Sequence, residues 1–368
     1  MRSLNNDMLL VDAHQDLAYN ILSFGRDYTR SAAETRRLEQ ASPCPDGDTA
    51  LGWPDYQRGR VAVIFSTLFA MPQRRSTGAW ETQVYTTPEE AHHLYSQQLD
   101  VYHRLTDSHP DKFRLIASRA DLGLLLSHWA DSSLDQSGHP VGLVPLMEGA
   151  EGIRQPGEVA RWWERGLRII GLAWAGTRFC GGTGEPGPLT DEGYSLLKAM
   201  ADFNFTLDLS HMDELSMLQA LDVYPGPVIA SHANPAALLR STESNRHITD
   251  RALAGLIERD GVVGIVLFNA FIKAGWRKGD PRQEVSLADV VPHIDYICQM
   301  AGDARHVGLG SDFDGGFGLP CLPHDVDTIA DLLMLADLLA ERGYTLTDIE
   351  AILGGNWLSY LHRSLPAS

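Results

Sequence analysis

Short apolar runs rich in β-branched residues alternate along the chain with longer segments whose apolar residues recur every three or four positions. The first pattern suits buried strands and the second amphipathic helices, so their alternation predicts parallel βα units. Strand cores are predicted at LLVDA (9–13), VAVIFSTLF (61–69), GLVPLME (142–148), RIIGLAW (168–174), FTLDLSH (205–211), PVIASH (227–232), VVGIVLF (262–268) and HVGLGSD (306–312). Helical spacing marks PEEAHHLYSQQLDVYHRLTD, EGYSLLKAMADF, MDELSMLQALDVY and DRALAGLIERDG. Eight units with no change of composition predict an α/β fold, one closed TIM-like (β/α)8 barrel, as a single domain over residues 1–368. Residues 24–60 are too long for a plain connection and should form a loop with short helices. Cys180–Asp191, CGGTGEPGPLTD, should be a Gly- and Pro-rich loop after the fourth strand. Both would rim one face of the barrel.

Composition narrows the partners. A formal charge of −18, with acidic residues spread along the chain, disfavours nucleic acid and anionic membrane surfaces and favours a small-molecule substrate. No window approaches the roughly 18 apolar residues of a membrane span. The start, MRSLNNDMLLVDAH, lacks the charged, apolar and small-residue zones of a secretory leader, and the end, LHRSLPAS, lacks an anchor signal, so a cytoplasmic location is expected. Cys44, Cys180, Cys298 and Cys321 form no CxxC pair, which leaves nitrogen and oxygen as the metal ligands.

Ligand-type residues gather at the predicted C-terminal strand ends, which converge on one face of a β/α barrel. His14 and Asp16 lie two apart at the end of the first strand and so point to the same side. Glu148 closes the third strand, His211 the fifth, His232 the sixth and Asp312 the eighth. Taken singly, each has a duller reading: SHANP suits an N-cap serine beside a loop histidine, and DFDG suits a turn. Taken together they form a nitrogen and oxygen site for zinc or a similar divalent ion. A single catalytic zinc usually takes three protein ligands, whereas five are present here with Asp312 close by, which argues for two ions. Other histidines, among them His92, His93, His103, His109, His128, His139 and His362, fall in helical or loop patterns and are expected at the solvated surface.

The strings VDAHQDL, LMEGAEGI, LDLSHMDE, VIASHANPAAL, RHITD, GLGSDFDG and GGNWL, running from residue 11 to residue 358, resemble the ordered signatures of the renal (membrane) dipeptidase family. The resemblance implies that His14 and Asp16 bind one zinc ion, that His211 and His232 bind a second, and that Glu148 bridges them. It also implies that a hydroxide shared between the ions attacks the peptide bond, that Asp312 exchanges protons with that water, and that Arg246 holds the substrate carboxylate. A carboxylate bridge replaces the carboxylated lysine of many related amidohydrolases, and no lysine stands at any of the strand ends.

The chain departs from the family at two places. Where animal members resemble a threonine-histidine pair after the fourth strand, this chain has LAWAGTRF, which makes Trp174 a candidate substrate contact with Arg178 as a replacement polar group. Near the seventh strand, where a tyrosine is common, LFNAF places Asn269. An indole donates one hydrogen bond but cannot be protonated as imidazole can. The expected activity is that of a zinc-dependent dipeptidase. The same centre could instead serve N-acyl amino acids, lactones or other amides, and a barrel that binds metal without catalysis is the reading from another class. Related barrels commonly pair, which leaves a homodimer open.

Overall fold

The computed structural model describes residues 8–131, 138–239 and 244–368, so the first residues of the segment read above for a leader lie outside it. Eight parallel strands build the sheet: β1 (Leu10–Gln15), β2 (Val61–Phe69), β3 (Val141–Glu148), β4 (Ile169–Gly171), β5 (Thr206–Asp208), β6 (Val228–Ile229), β7 (Val263–Ile265) and β8 (Val307–Leu309). Hydrogen-bonded neighbours run β6-β5-β4-β3-β2-β1-β8-β7. An isolated parallel bridge between Ala230 and Val263 joins the two ends and completes the barrel. A short additional strand, Phe113–Leu115, pairs with the start of β3.

Side chains alternate across these strands, and two separate apolar clusters result. Val11, Ala13, Val63, Phe65, Val144 and Leu146 belong to one, while Leu10, Ile64, Leu68, Leu143 and Met147 belong to the other. The first cluster also takes Trp357 and Leu361 from the C-terminal helix Asn356–Ser364. Trp357 packs edge-on to Phe65 and donates its indole N–H to the Leu309 carbonyl at 3.0 Å. A Cβ at residue 308 would lie 2.3 Å from that indole nitrogen, which is why glycine stands there.

The predicted helices form with the caps their sequences supply. Thr87 and Glu90 make a reciprocal capping box on Pro88–Ser108. Thr190, Asp213 and Thr249 cap Asp191–Asp202, Glu214–Val223 and Asp250–Glu258. Residues 24–60 carry the short helices Ala32–Glu39 and Trp53–Arg58, as expected.

Three expectations need correction. The ladders of β4 to β8 are shorter than the apolar runs, so His211, His232 and Asp312 lie three residues past strand ends at Asp208, Ile229 and Leu309. Cys180–Asp191 is not a plain loop: Cys180–Gly182 and Glu185–Leu189 pair as an antiparallel hairpin. His139 is 3% exposed rather than solvated, because its ring stacks on Trp129 with centroids 4.6 Å apart. Among the described residues no helix is long and apolar enough to cross a membrane.

Candidate metal centre

The C-terminal strand ends surround a cavity of about 670 Å³ whose floor carries Asp16, Glu148, His211, Arg246 and Asp312. His14 lies beneath with no exposure. Its Nε2 is 3.7 Å from Asp16 Oδ2, 3.6 Å from Glu148 Oε2 and 3.8 Å from Asp312 Oδ1. Glu148, the last residue of β3, turns its other oxygen the opposite way: Oε1 is 2.9 Å from His211 Nε2 and 3.3 Å from His232 Nε2. One carboxylate thus reaches both histidine sets, and the His14 and His232 ring centroids lie 3.6 Å apart beside it.

Local backbone puts these groups there. Asp16 stands at the N-cap of the helix Leu17–Phe24 but makes no side-chain cap bond, so its carboxylate is free for the cavity. His211 and Asp312 adopt φ of +65° and +62°, a left-handed conformation that non-glycine residues rarely hold without surrounding constraint. Thr183, in the hairpin turn, has its hydroxyl 3.0 Å from His211 Nδ1.

The charges are unbalanced. Burial alone would lower His14, but Glu148, Asp16 and Asp312 outweigh it and push the imidazole up to about 10. Burial raises Asp16 well above the usual carboxylate range and brings Asp312 to about 7, with Glu148 reinforcing both shifts. Glu148 itself is held well below its ordinary value, since His14, His211 and His232 outweigh its burial. Burial and the Arg246 guanidinium lower His211 to about 4, so its nitrogen is a neutral donor.

Such a site fits divalent cations. His14 Nε2 and Asp16 Oδ1 are buried polar atoms without a hydrogen-bond partner. His14, Glu148 and His232 converge as one group of potential ligands, and His14, Asp16 and Asp312 as another. His211 Nε2 and His232 Nε2 approach to 2.9 Å, an arrangement of nitrogen donors that a cation would satisfy. Asp312 is thus part of the same acidic cluster as Asp16.

Arg246 is 3% exposed; its Nη2 donates to the His232 carbonyl at 2.9 Å, and its Nη1 has no partner. Trp174 lines the cavity with its ring centroid 5.2 Å from Phe69 and 6.1 Å from His211. The two remaining candidates are not brought to the cavity. Asn269 is fully buried and donates to the Leu322 carbonyl, while its neighbours Phe268 and Phe271 form the wall. Arg178 turns towards the Ile153 carbonyl and Glu192. Sequence reasoning missed the aromatic wall, to which Tyr19, Trp80 and Phe317 also belong, because its members are scattered over helices, a strand end and loops far apart in the chain. It also missed Asp12 and Asp208, although an aspartate shortly before His14 and another before His211 was a visible signal.

Comparison with known proteins places the chain in a peptidase family. The profile of the membrane dipeptidase family, peptidase family M19, matches residues 1–363. An uncharacterized protein in the pqqA 5′ region of Klebsiella pneumoniae is 31% identical, over 72% of this chain and 94% of that protein. The dipeptidase aclJ of Aspergillus oryzae is 28% identical, over 96% of this chain and 77% of its own. Among solved structures, a metallo peptidase from Rhodobacter sphaeroides, liganded with a phosphinate mimic of the dipeptide L-Ala-D-Ala, superposes with a TM-score of 0.76. It shares 23% identity, with 98% of this chain and all of that chain covered.

Proposed function

The chain belongs to the membrane dipeptidase family, and from that membership we propose that it is a two-ion metallopeptidase cleaving dipeptides with a free carboxylate. The observation that carries this reading is the position of Glu148, one oxygen towards His14 and the other towards His211 and His232, beneath the cavity into which Arg246 faces. Two divalent ions, with zinc the expected metal, would be held by His14, Asp16, Glu148, His211 and His232, and would supply Lewis-acid polarisation of the scissile carbonyl and a shared water acidic enough to attack at neutral pH.

The protein's own groups do the rest. Arg246, buried and with a free Nη1, receives the substrate carboxylate as a charge-assisted pair. Anchoring that carboxylate sets the reacting bond one residue away, which selects dipeptides. The Asp312 carboxylate takes the proton of the attacking water and returns it to the departing amine nitrogen, a contribution on the order of 10² to 10⁴ in rate. A cytoplasmic location and a single barrel domain belong to the same proposal.

A second reading keeps the centre and replaces the dipeptide by an N-acyl amino acid. Trp174 favours it, since its indole and Phe69 form an apolar wall suited to an acyl chain. Assay of the purified, zinc-supplemented protein against dipeptides of both configurations, N-acyl amino acids and lactones separates the readings. Dipeptide hydrolysis abolished by a chelator and restored by zinc is the expected result. A protein that holds two ions and hydrolyses only the other classes would overturn the dipeptidase assignment.

A further inference from the structure

Two side-chain clamps of one design close the rim of the barrel. Asp208 accepts the backbone N–H of Ser231 on Oδ1 at 2.8 Å and its hydroxyl on Oδ2 at 2.5 Å. Asp12 accepts the same two groups of Ser311 at 2.7 and 2.5 Å. Asp208 is paired in register with Ile229 and Asp12 with Leu309, so each serine stands two residues beyond its aspartate's partner. Each serine is followed directly by a residue of the site, His232 or Asp312.

Ser231 is engaged on its other side as well. Its Oγ lies 2.8 Å from His232 Nδ1 and 3.3 Å from His14 Nδ1. A hydroxyl has one proton and two lone pairs, whereas a carboxylate only accepts. The Ser231 proton is therefore committed to Asp208, and the lone pairs that remain accept from the two imidazoles. Both Nδ1 atoms then carry hydrogen, and both Nε2 atoms, on the side of Glu148, are left as the nitrogens that would bind the ions, His14 giving up its second proton on binding. Ser210 Oγ, 3.3 Å away, accepts the backbone N–H of His232 at 3.0 Å on one of its lone pairs. Ser231, His14 and His232 have no exposure, so bulk water cannot take over these bonds.

We propose that Ser231, anchored by Asp208, is a positioning residue that fixes one tautomer on His14 and His232 together and so readies a nitrogen in each half of the metal centre. The inference rests on the two-ion reading above. It makes a single hydroxyl common to both ions, because His14 faces one oxygen of Glu148 and His232 the other, with their ring centroids 3.6 Å apart. Outer partners of this kind orient ligand rings, and their loss commonly costs about 10- to 100-fold in metal affinity.

Two variants of the full chain test it. Asp208→Asn is nearly isosteric: its amide oxygen can keep the N–H groups of Ser210 and Ser231, while its NH₂ faces Ser231 Oγ. The serine proton is then released towards an imidazole, which favours the opposite tautomer. Ser231→Ala removes the acceptor but leaves the backbone bonds to Asp208 intact, so it carries the test if Asp208→Asn does not fold. Zinc affinity is read by competition with a chromophoric chelator, and folding by circular dichroism of the ion-free proteins. Both sites are expected to weaken about 10- to 100-fold in the folded variants. Unchanged affinity, or a loss confined to one site, would overturn the shared role. Nitrogen-15 spectra of the zinc-loaded protein should show His14 and His232 protonated at Nδ1, and protonation at Nε2 of either would equally overturn it. Two tightly bound ions in the native chain beside unaffected variants defeat this inference alone, whereas a native chain that takes up no zinc defeats the two-ion reading and this inference with it.

Discussion

Asp312 is tied to His14 twice: its backbone N–H donates to the His14 carbonyl at 3.2 Å, and its Oδ1 lies 3.8 Å from His14 Nε2. The first contact continues the pairing of β1 with β8, and the second places a carboxylate over the floor of the cavity. Scaffold and chemistry are thus fixed by the same two residues.

Asp312→Asn keeps the shape and the backbone tie but cannot move a proton. Zinc content should stay near the native value while kcat falls by about 10² to 10⁴. Native turnover in this variant would reduce Asp312 to a structural turn residue.

Glu148 faces both halves of the centre, so its loss should be felt in both. Glu148→Ala is expected to release both ions, whereas His211→Ala should weaken one, with elemental analysis after dialysis as the measurement. If both variants lost a single ion, Glu148 would serve one half only.

Arg246 can be tested through the substrate. A native preference for a dipeptide over its C-terminal amide is expected, worth roughly 1.5 to 3 kcal/mol for a charge-assisted pair. In Arg246→Ala the preference should vanish, with KM rising for the acid and little change for the amide. Equal weakening of both substrates would assign Arg246 to stability instead, through its bond to the His232 carbonyl.

His247 supplies a pH test away from the ligands. It is 4% exposed and its Nδ1 has no partner; burial, then the neighbouring Arg246, lower it to about 3. The unfolded chain titrates near the ordinary value of ~6.5, so below that pH it takes up a proton the folded protein refuses. Stability is full above ~6.5 and is lost progressively as pH falls towards the folded value, by about 2 kcal/mol between pH 7 and 5. Urea unfolding of His247→Gln should show a smaller drop over that interval than the native chain. An identical drop in both would remove His247 from the acid response.

The order of the eight strands, the capped helices and the residues that cluster beneath the cavity were legible in the chain itself. They depend on local rules: apolar periodicity, Thr and Asp at helix starts, and polar residues at the ends of apolar runs. Family membership followed from ordered strings, which are also local. What the tertiary structure decided is orientation. His211, His232 and Asp312 lie beyond the ladders, where no alternation of faces applies, and their direction is set by positive φ or by the Asp208–Ser231 and Asp12–Ser311 clamps across neighbouring strands. Asn269 and Phe271 are two residues apart, yet one is bonded to Leu322 and the other lines the cavity. Both belong to the short helix Asn269–Ile272, and only its packing against a distant loop determines which side chain faces inward.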